Sequence, residues 1–357
     1  MNRHLQGIVR KYLSHDEAVS LFLLLVFSTL AIVFLGGMLI PVIAAVVIAY
    51  ILQGLVDKLT FMRVPNPLAI LLAYGVFIGF VGLMVLTLAP LIWKQAVTLV
   101  SEAPQILRTL NSHLETVVEQ YPQVLSPDLV DSLYRNITEE AGKFTQWALS
   151  SSLSGLMDVA VLLVYAVLVP ILVFFMLKDR RTLTASIGRL LPDRRKTLNE
   201  VWKEVDHQCS AYIRGKTIEI LIVGIVSYIA LKVMGMPYSA LLGLLIGLSV
   251  VIPFVGAAVV TIPVTLIALS TFGPGTEFLW VMMVYGIIQA LDGNVLTPLL
   301  FSEVNNLHPV VIIVAVLLFG GIWGLWGVFF AIPLATLVRA VMDAWPVHLD
   351  EEPAALD

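Results

Sequence analysis

The sequence predicts an all-α fold, namely a polytopic helical membrane protein with about eight membrane segments and an extracytoplasmic helical insert. The chain has 357 residues, of which 59% are hydrophobic and only 13% are charged, whereas soluble domains are about 45–50% apolar and about 25% charged. Its mean hydropathy is +0.94. Apolar runs too long for a soluble core recur from residue 19 to residue 345, and such runs are typical of membrane-spanning helices.

The first part of the chain, residues 1–92, is predicted to be an N-terminal membrane region of three spans. The apolar block 19–56 contains Gly36-Gly37 and is too long for one span, which takes about 20 residues. Because glycine weakens a helix, we expect two helices joined in a tight hairpin at this point. A third span follows over 67–92.

Residues 93–153 form a polar insert that the hydrophobic pattern predicts to be helical. Its apolar residues recur at three- and four-residue steps, as on one face of an amphipathic helix. The first stripe comprises Leu107, Leu110, Leu114, Val117 and Tyr121, and the second comprises Leu129, Leu133, Ile137 and Phe144. The sequence leaves open whether these stripes cover each other, lie on the membrane surface or contact a second protomer.

The distribution of positive charge predicts the orientation of the chain. A fourth span and a basic cytoplasmic loop follow over 154–214, and the segment 178–216 contains ten of the 21 Lys and Arg residues. Positive residues near span ends remain in the cytoplasm, so we expect the basic loop and both termini inside and the insert outside. In a bacterium with two membranes, the insert is then periplasmic.

Residues 215–345 are predicted to form a C-terminal membrane transport core, followed by a cytoplasmic tail over 346–357. Two of its apolar segments, 237–271 and 308–341, are interrupted by glycine and proline, which is the pattern of discontinuous helices at transporter binding sites. The sequence leaves open whether each is a re-entrant hairpin or a pair of full spans. The predicted breaks, with a role in gating, are Pro253, Gly256, Pro263, Gly320, Gly321, Gly324, Gly327 and Pro333.

A carboxylate within the apolar segment 281–301 is the main candidate for a functional site. An Asp at the centre of a membrane helix costs about 2.5–3.5 kcal/mol, so we do not expect Asp292 to face lipid. Gly293 and Pro298 favour a helix that unwinds near 292–294 and turns polar groups toward a cavity. The predicted path for a substrate or coupling ion comprises Gln289, Asp292, Asn294, Asn305, Asn306 and His308.

Two interpretations of Asp292 remain open. In the first, the residue lines this polar path. In the second, it serves as a structural cap or ion-pair partner within the helix bundle, or lies closer to the membrane surface than the centre of the segment. Glu219, early in the span that follows the basic loop, is expected at the membrane interface.

Several classes of protein are disfavoured. The chain has no complete G-x-x-x-x-G-K-[ST] phosphate loop, no H-E-x-x-H, no G-x-S-x-G and no basic stripe suited to nucleic acid, and these patterns mark nucleotide, zinc, hydrolase and nucleic-acid sites. We therefore expect no enzyme activity, no catalytic residue, no cofactor, no metal site and no nucleic-acid partner.

Three segments carry a resemblance to a known family, namely SVVIPFVGAAVVTIPV, ALDGNVLTPLLFSEVNNLHPVVIIVAVLLFGGIWGLWGVFFAIPLATL and VWKEVDHQCSAYIRGK. They resemble the autoinducer-2 exporter family of bacterial permeases, and the similarity runs nearly end to end. The resemblance implies eight membrane segments, a polar insert after the third, and residence in the bacterial inner membrane. It also implies a homo-oligomer, with a pentamer expected, and elevator-like movement. The most specific residues are Leu307-His308-Pro309, Gly320-Gly321, Trp323-Gly324 and Ile332-Pro333.

Three hypotheses for function follow. In the first, the chain is a secondary transporter that exports a small polar solute, such as the furanosyl signal that the resemblance implies, with Asp292 as the coupling site for H⁺ or Na⁺. In the second, the same carboxylate serves a sodium(cation)/proton antiporter. In the third, the chain is a non-transporting membrane scaffold. The polar, glycine-broken interior favours transport, because a scaffold has no need of it.

Overall fold

The computed structural model describes residues 16–120, 155–189, 196–253, 255–301 and 307–344, with isolated positions between 132 and 143. Within these ranges every regular element is a helix, as the all-α prediction requires. The helices are α1 (Asp16–Phe61), α2 (Asn66–Leu83), α3 (Ala89–Gln120), α4 (Gly155–Lys178), α5 (Arg180–Arg189), α6 (Lys196–Val233), α7 (Ser239–Ser249), α8 (Val255–Phe272), α9 (Thr276–Leu291), α10 (Thr297–Phe301), α11 (Pro309–Phe329) and α12 (Ala331–Ala344).

The described helices confirm a polytopic membrane protein. Six helical stretches are long and apolar enough to cross a membrane, and two shorter apolar helices, Ser239–Ser249 and Ala331–Met342, accompany them. Lipid offers no hydrogen-bond partners to the backbone, so helices that satisfy their own backbone groups are the expected architecture.

The first apolar block is one helix, and the predicted hairpin at Gly36-Gly37 is wrong. Helix α1 runs unbroken through both glycines for 46 residues. Each glycine weakens a helix by only about 1 kcal/mol relative to alanine, whereas a break in lipid would expose unpaired backbone groups. The predicted cytoplasmic position of both termini assumes two spans in this block, where the structure has one continuous helix. The placement of the termini therefore remains a prediction.

The third span and the first helix of the insert are also continuous. A π-helical turn at Met84–Leu88 joins α2 to α3, so residue 93 does not mark the end of an element. Helix α3 packs against the C-terminal region, where Leu99 and Ile106 contact the main apolar core. Leu110 is the buried member of the first stripe, and the second stripe lies outside the described residues.

Helices α7 and α8 form a hairpin around that apolar core. The chain doubles back between residues 249 and 255, with Pro253 in the turn, and Leu242, Ile246 and Val264 are fully buried. The C-terminal helices α11 and α12 form a second hairpin, in which the backbone breaks at Gly324 with φ +60°. We call these the first and second hairpins.

The other predicted breaks fall inside helices. Pro263 lies within α8, and Gly320 and Gly321 lie within α11. Pro333 occupies the first turn of α12, where a missing backbone N–H is tolerated. Breaks therefore occur at Pro253 and Gly324, and a close backbone approach occurs at Gly256 and Gly327.

Candidate functional site

The helix that carries Asp292 is widened at that residue and is not unwound. Residues Asp292–Leu296 form a π-helical turn between α9 and α10, and the Thr297 N–H donates to the Asp292 carbonyl five residues earlier. Such turns insert one extra residue into a helix and are frequent at functional sites. The predicted unwinding near 292–294 is thus replaced by a local bulge that keeps the backbone hydrogen-bonded.

A buried ion pair faces this region from α6. Lys216 and Glu219 are 5% and 2% exposed, and Lys216 Nζ lies 2.6 Å from Glu219 Oε2. Lys216 also donates to the Val250 carbonyl in the turn of the first hairpin at 2.8 Å. Glu219 is therefore buried within the protein, and its position at the membrane interface remains a prediction.

Asp292 extends the ion pair into a three-charge cluster. Its carboxyl group interacts electrostatically with Glu219 and with Lys216, and Thr297 Oγ1 donates to Glu219 Oε1 at 3.2 Å. Asp292 Oδ1 is buried and has no hydrogen-bond partner in the part of the chain that the structure describes. We call Lys216, Glu219, Asp292 and Thr297 the charged cluster.

An aromatic ring closes one side of the charged cluster. Lys216 Nζ lies 5.2 Å from the centroid of the Phe301 ring, a cation–π distance. The approach of α10 to α6 depends on Gly215, where an added Cβ would lie 2.8 Å from Phe301 Cε1.

The charged cluster has the composition of a cation site. The charged cluster holds two carboxyl groups and one ammonium group, so it carries one net negative charge when it is fully ionised. Burial of an uncompensated charge is strongly unfavourable, so a proton or a small cation at Asp292 would neutralise the cluster. The buried, unpartnered Oδ1 of Asp292 is a free acceptor at that position.

A second polar network joins α9 to the first hairpin. Gln289 Nε2 donates to the Tyr285 hydroxyl at 2.7 Å, and this hydroxyl lies 2.8 Å from Thr261 Oγ1. The Thr261 hydroxyl in turn donates to the Ala257 carbonyl at 2.7 Å. Gln289, predicted from the sequence, therefore contacts the hairpin through a chain of hydroxyl groups.

The other predicted path residues are placed differently. Asn294 is exposed, and its Nδ2 donates to the Ala290 carbonyl of its own helix at 2.8 Å. His308 accepts from the Val310 N–H at 3.3 Å and caps the start of α11. Asn305 and Asn306 lie outside the described residues.

The predicted path does not include Lys216 or Glu219, because Lys216 belongs to the basic segment 178–216 that predicts the orientation of the chain. A signal was nevertheless present. Opposite charges three residues apart share one face of a helix, and apolar sequence follows them in α6. An i,i+3 charge pair at the start of a membrane segment is most favourable as an interior ion pair.

The single cysteine is a packing residue. Burial, together with the nearby Asp206 carboxylate, raises the pKa of the Cys209 thiol to about 11. The thiol is then protonated at neutral pH, whereas reactive cysteines have a depressed pKa.

The chain is similar to a family of transporters and to several individual proteins. Residues 22–347 match the family model described as AI-2E family transporter. The chain is 42% identical over 337 residues to "Putative permease PerM" of Escherichia coli, which covers 94% of this chain and 96% of that protein. It is 29% identical over 307 residues to "Putative transport protein YrrI" of Bacillus subtilis, with 85% of each chain covered. It is 24% identical over 320 residues to "AI-2 transport protein TqsA" of Escherichia coli, with 90% of each covered.

Proposed function

The chain belongs to the AI-2E family of transporters, and on this premise we propose that it is a secondary transporter that moves a small polar solute across the bacterial inner membrane. The relative named as an AI-2 transport protein supports an autoinducer-2-like signal as one candidate solute. The distribution of Lys and Arg supports cytoplasmic termini. We propose export as the direction and a homo-oligomer as the working assembly.

The observation that carries this proposal is the charged cluster within apolar helices. Ionisable residues inside membrane segments are costly and typically mark ion or substrate pathways. A non-transporting scaffold would not need two carboxyl groups beside one buried ammonium group. The cluster therefore favours transport over the scaffold hypothesis.

The proposed coupling step is a change in charge at Asp292. When a proton or Na⁺ binds at Asp292, the net charge of the cluster becomes zero. The ammonium group of Lys216 then interacts with one negatively charged carboxylate, that of Glu219, instead of two. Lys216 also holds the Val250 carbonyl, so the strength of that hydrogen bond depends on the charge of the cluster. The turn of the first hairpin would then move in response to cation binding, with Pro253 and Gly256 at the gating position.

The test uses purified protein in liposomes with an imposed pH or sodium gradient. We expect gradient-driven flux of a small polar solute in wild type and its loss in Asp292→Asn. Glu277→Gln is the matched control, because it makes the same change from carboxyl to amide at an exposed position early in the same helix. Wild-type flux in a normally assembled Asp292→Asn variant would make this carboxylate structural.

A cation/proton antiporter is the second candidate, and the carboxyl pair is the observation that favours it. An antiporter would exchange Na⁺ for H⁺ in liposomes that contain no organic solute. Sodium-dependent changes in internal pH under those conditions would support this function, whereas flux that requires a polar solute would support the first.

A further inference from the structure

A second polar site lies at the open end of the first hairpin, where α8 meets α3. A cavity of about 170 Å³ lies there. The distance along α8 from Val255 to Ser270 is roughly 22 Å, from fifteen residues at about 1.5 Å each, so the cavity is far from the turn that contacts the charged cluster. Its polar lining residues are Glu102, Gln105, Thr109, Tyr238, Ser270 and Thr271.

The α3 wall of the cavity is fixed in place by hydrogen bonds to the hairpin. Glu102, Gln105 and Thr109 recur at three- and four-residue steps and share one face of α3. The Tyr238 hydroxyl donates to the Glu102 carboxylate. About two turns before Glu102 on α3, Gln95 Oε1 accepts from the Leu241 N–H at 2.8 Å. The polar face is thus held against the hairpin.

The cavity presents mainly hydrogen-bond acceptors. Ser270 Oγ and Thr271 Oγ1 both donate to the Ile267 carbonyl, at 2.9 and 2.7 Å. A hydroxyl has one hydrogen and two lone pairs, so each of these oxygens can still accept. The same holds for the Tyr238 hydroxyl, whose hydrogen is directed to Glu102. Acceptors beside a carboxylate, with no Lys or Arg in the lining, favour ligands rich in O–H donors and disfavour anions.

We propose that this cavity binds a small, uncharged, polyhydroxylated solute as a station on the transport path. The proposal rests on the transport function above. The volume is comparable with the roughly 150 Å³ cavity that holds benzene in an engineered protein, so the solute has about the size of one small ring. Hydroxyl and amide groups surround the space on several sides, which matches a ring with distributed hydroxyls better than a point charge.

The experiment measures binding without any gradient, with the full-length protein in lipid nanodiscs. D-ribose is the neutral probe and D-ribose 5-phosphate is its anionic counterpart. We expect ribose to bind and the phosphate to bind at least tenfold more weakly. Thr109→Val and Ser270→Ala should each weaken ribose binding by roughly fivefold, as for the loss of one hydrogen bond. Ser101→Ala should leave it unchanged, because that hydroxyl is exposed and bonds to the Thr98 carbonyl.

A second variant tests the electrostatic part without depending on a loss of binding. Glu102→Gln keeps an oxygen that can accept from Tyr238 and removes the negative charge. We expect the preference for ribose over the phosphate to narrow by several-fold, which a folding defect would not produce.

Three outcomes would overturn the site: no ribose binding by wild type, equal ribose binding by the cavity variants, or phosphate binding as tight as that of ribose. The transport function can fail separately. Cavity-dependent ribose binding without flux in liposomes would support the site and overturn transport. Ribose flux that Thr109→Val leaves unchanged would overturn the site alone.

Discussion

The two hairpins of the C-terminal region share a backbone geometry and differ in what surrounds it. A Cβ on Gly256 would lie 1.7 Å from the Ser249 carbonyl oxygen, and one on Gly327 would lie 1.9 Å from the Phe319 carbonyl oxygen. Real Cβ atoms do not approach a carbonyl oxygen so closely. Both turns therefore require glycine for the same steric reason.

The surroundings of the first hairpin are polar. Its turn accepts a hydrogen bond from Lys216 through the Val250 carbonyl. Further along α8, Thr261 contacts Tyr285. The second hairpin is aromatic at its turn, where the rings of Trp323 and Trp326 stack on the ring of Phe330. The distances between ring centroids are 6.1 and 6.3 Å.

The two hairpins thus share a steric requirement for glycine but differ in the chemical groups around their turns. The segments VVTIPVTLIAL and FFAIPLATLVR look alike, and both contribute the returning helix of a hairpin. The turn of the first hairpin contacts Lys216 of the charged cluster. Changes near the first hairpin should therefore alter coupling, whereas changes in the second should alter stability.

The largest effect is expected from Lys216→Met, which would leave Glu219 buried beside Asp292 without its counter-ion. Removing one partner of a buried ion pair costs about 3–5 kcal/mol, which would appear as a lower thermal unfolding midpoint in detergent. Lys216→Met combined with Glu219→Gln should recover much of the loss. A single variant as stable as the exposed Lys58→Met would contradict a buried cluster.

Gly256→Ala and Gly327→Ala should come next and should behave alike. Overpacking costs about 1–3 kcal/mol and occasionally more, because the added methyl group meets a backbone carbonyl. Gly321→Ala is the control, since its Cβ would meet nothing within 4 Å. If either Gly256→Ala or Gly327→Ala is as stable as Gly321→Ala, the turns of the two hairpins do not share their backbone geometry.

Phe330→Leu should produce a smaller loss confined to the second hairpin. Phe330 makes ring pairs with Trp323, Trp326 and Phe329. Leucine retains part of the contact area, so at about 0.5 kcal/mol for each pair we expect a loss of about 1.5 kcal/mol in the free energy of unfolding. Flux per folded protein in liposomes should remain, because no polar contact is changed. If Phe330→Leu abolished gradient-driven flux, as we expect for Asp292→Asn, the two hairpins would not differ in function.

The smallest effect is expected from Thr261→Val, which removes the hydroxyl of the first hairpin that contacts the Tyr285 hydroxyl. One net hydrogen bond contributes about 0.5–1.5 kcal/mol, and Tyr285 keeps the Ala257 carbonyl as an acceptor at 3.3 Å. The unfolding midpoint should therefore fall slightly, while solute flux should fall clearly if this network lies on the path. Unchanged flux would restrict the chemistry to the charged cluster.

Local features of the sequence predicted several parts of this molecule. Pro253 and Gly324 mark real backbone breaks because proline lacks a donor and glycine accepts a positive φ. Asp292 was singled out because an ionisable group in an apolar run is costly wherever it lies. The match of the family model agrees with the resemblance carried by the glycine, tryptophan and proline motifs.

Other predictions failed where a local feature had to be weighed against its surroundings. Gly36-Gly37 suggested a turn, but the helix continues because nothing else in lipid would satisfy the backbone. The place of Asn294 on the path remains a prediction, since its side chain is exposed and its amide donates to the Ala290 carbonyl of its own helix.

Composition and the lengths of the apolar runs alone specify a helical membrane protein, because a backbone surrounded by lipid must satisfy its own hydrogen bonds. The charged cluster depends on tertiary packing, because Lys216 reaches a carbonyl 34 residues away and Glu219 meets a threonine 78 residues away. Burial of a charge is tolerable only once such partners are assembled, so its location is decided by the folded structure.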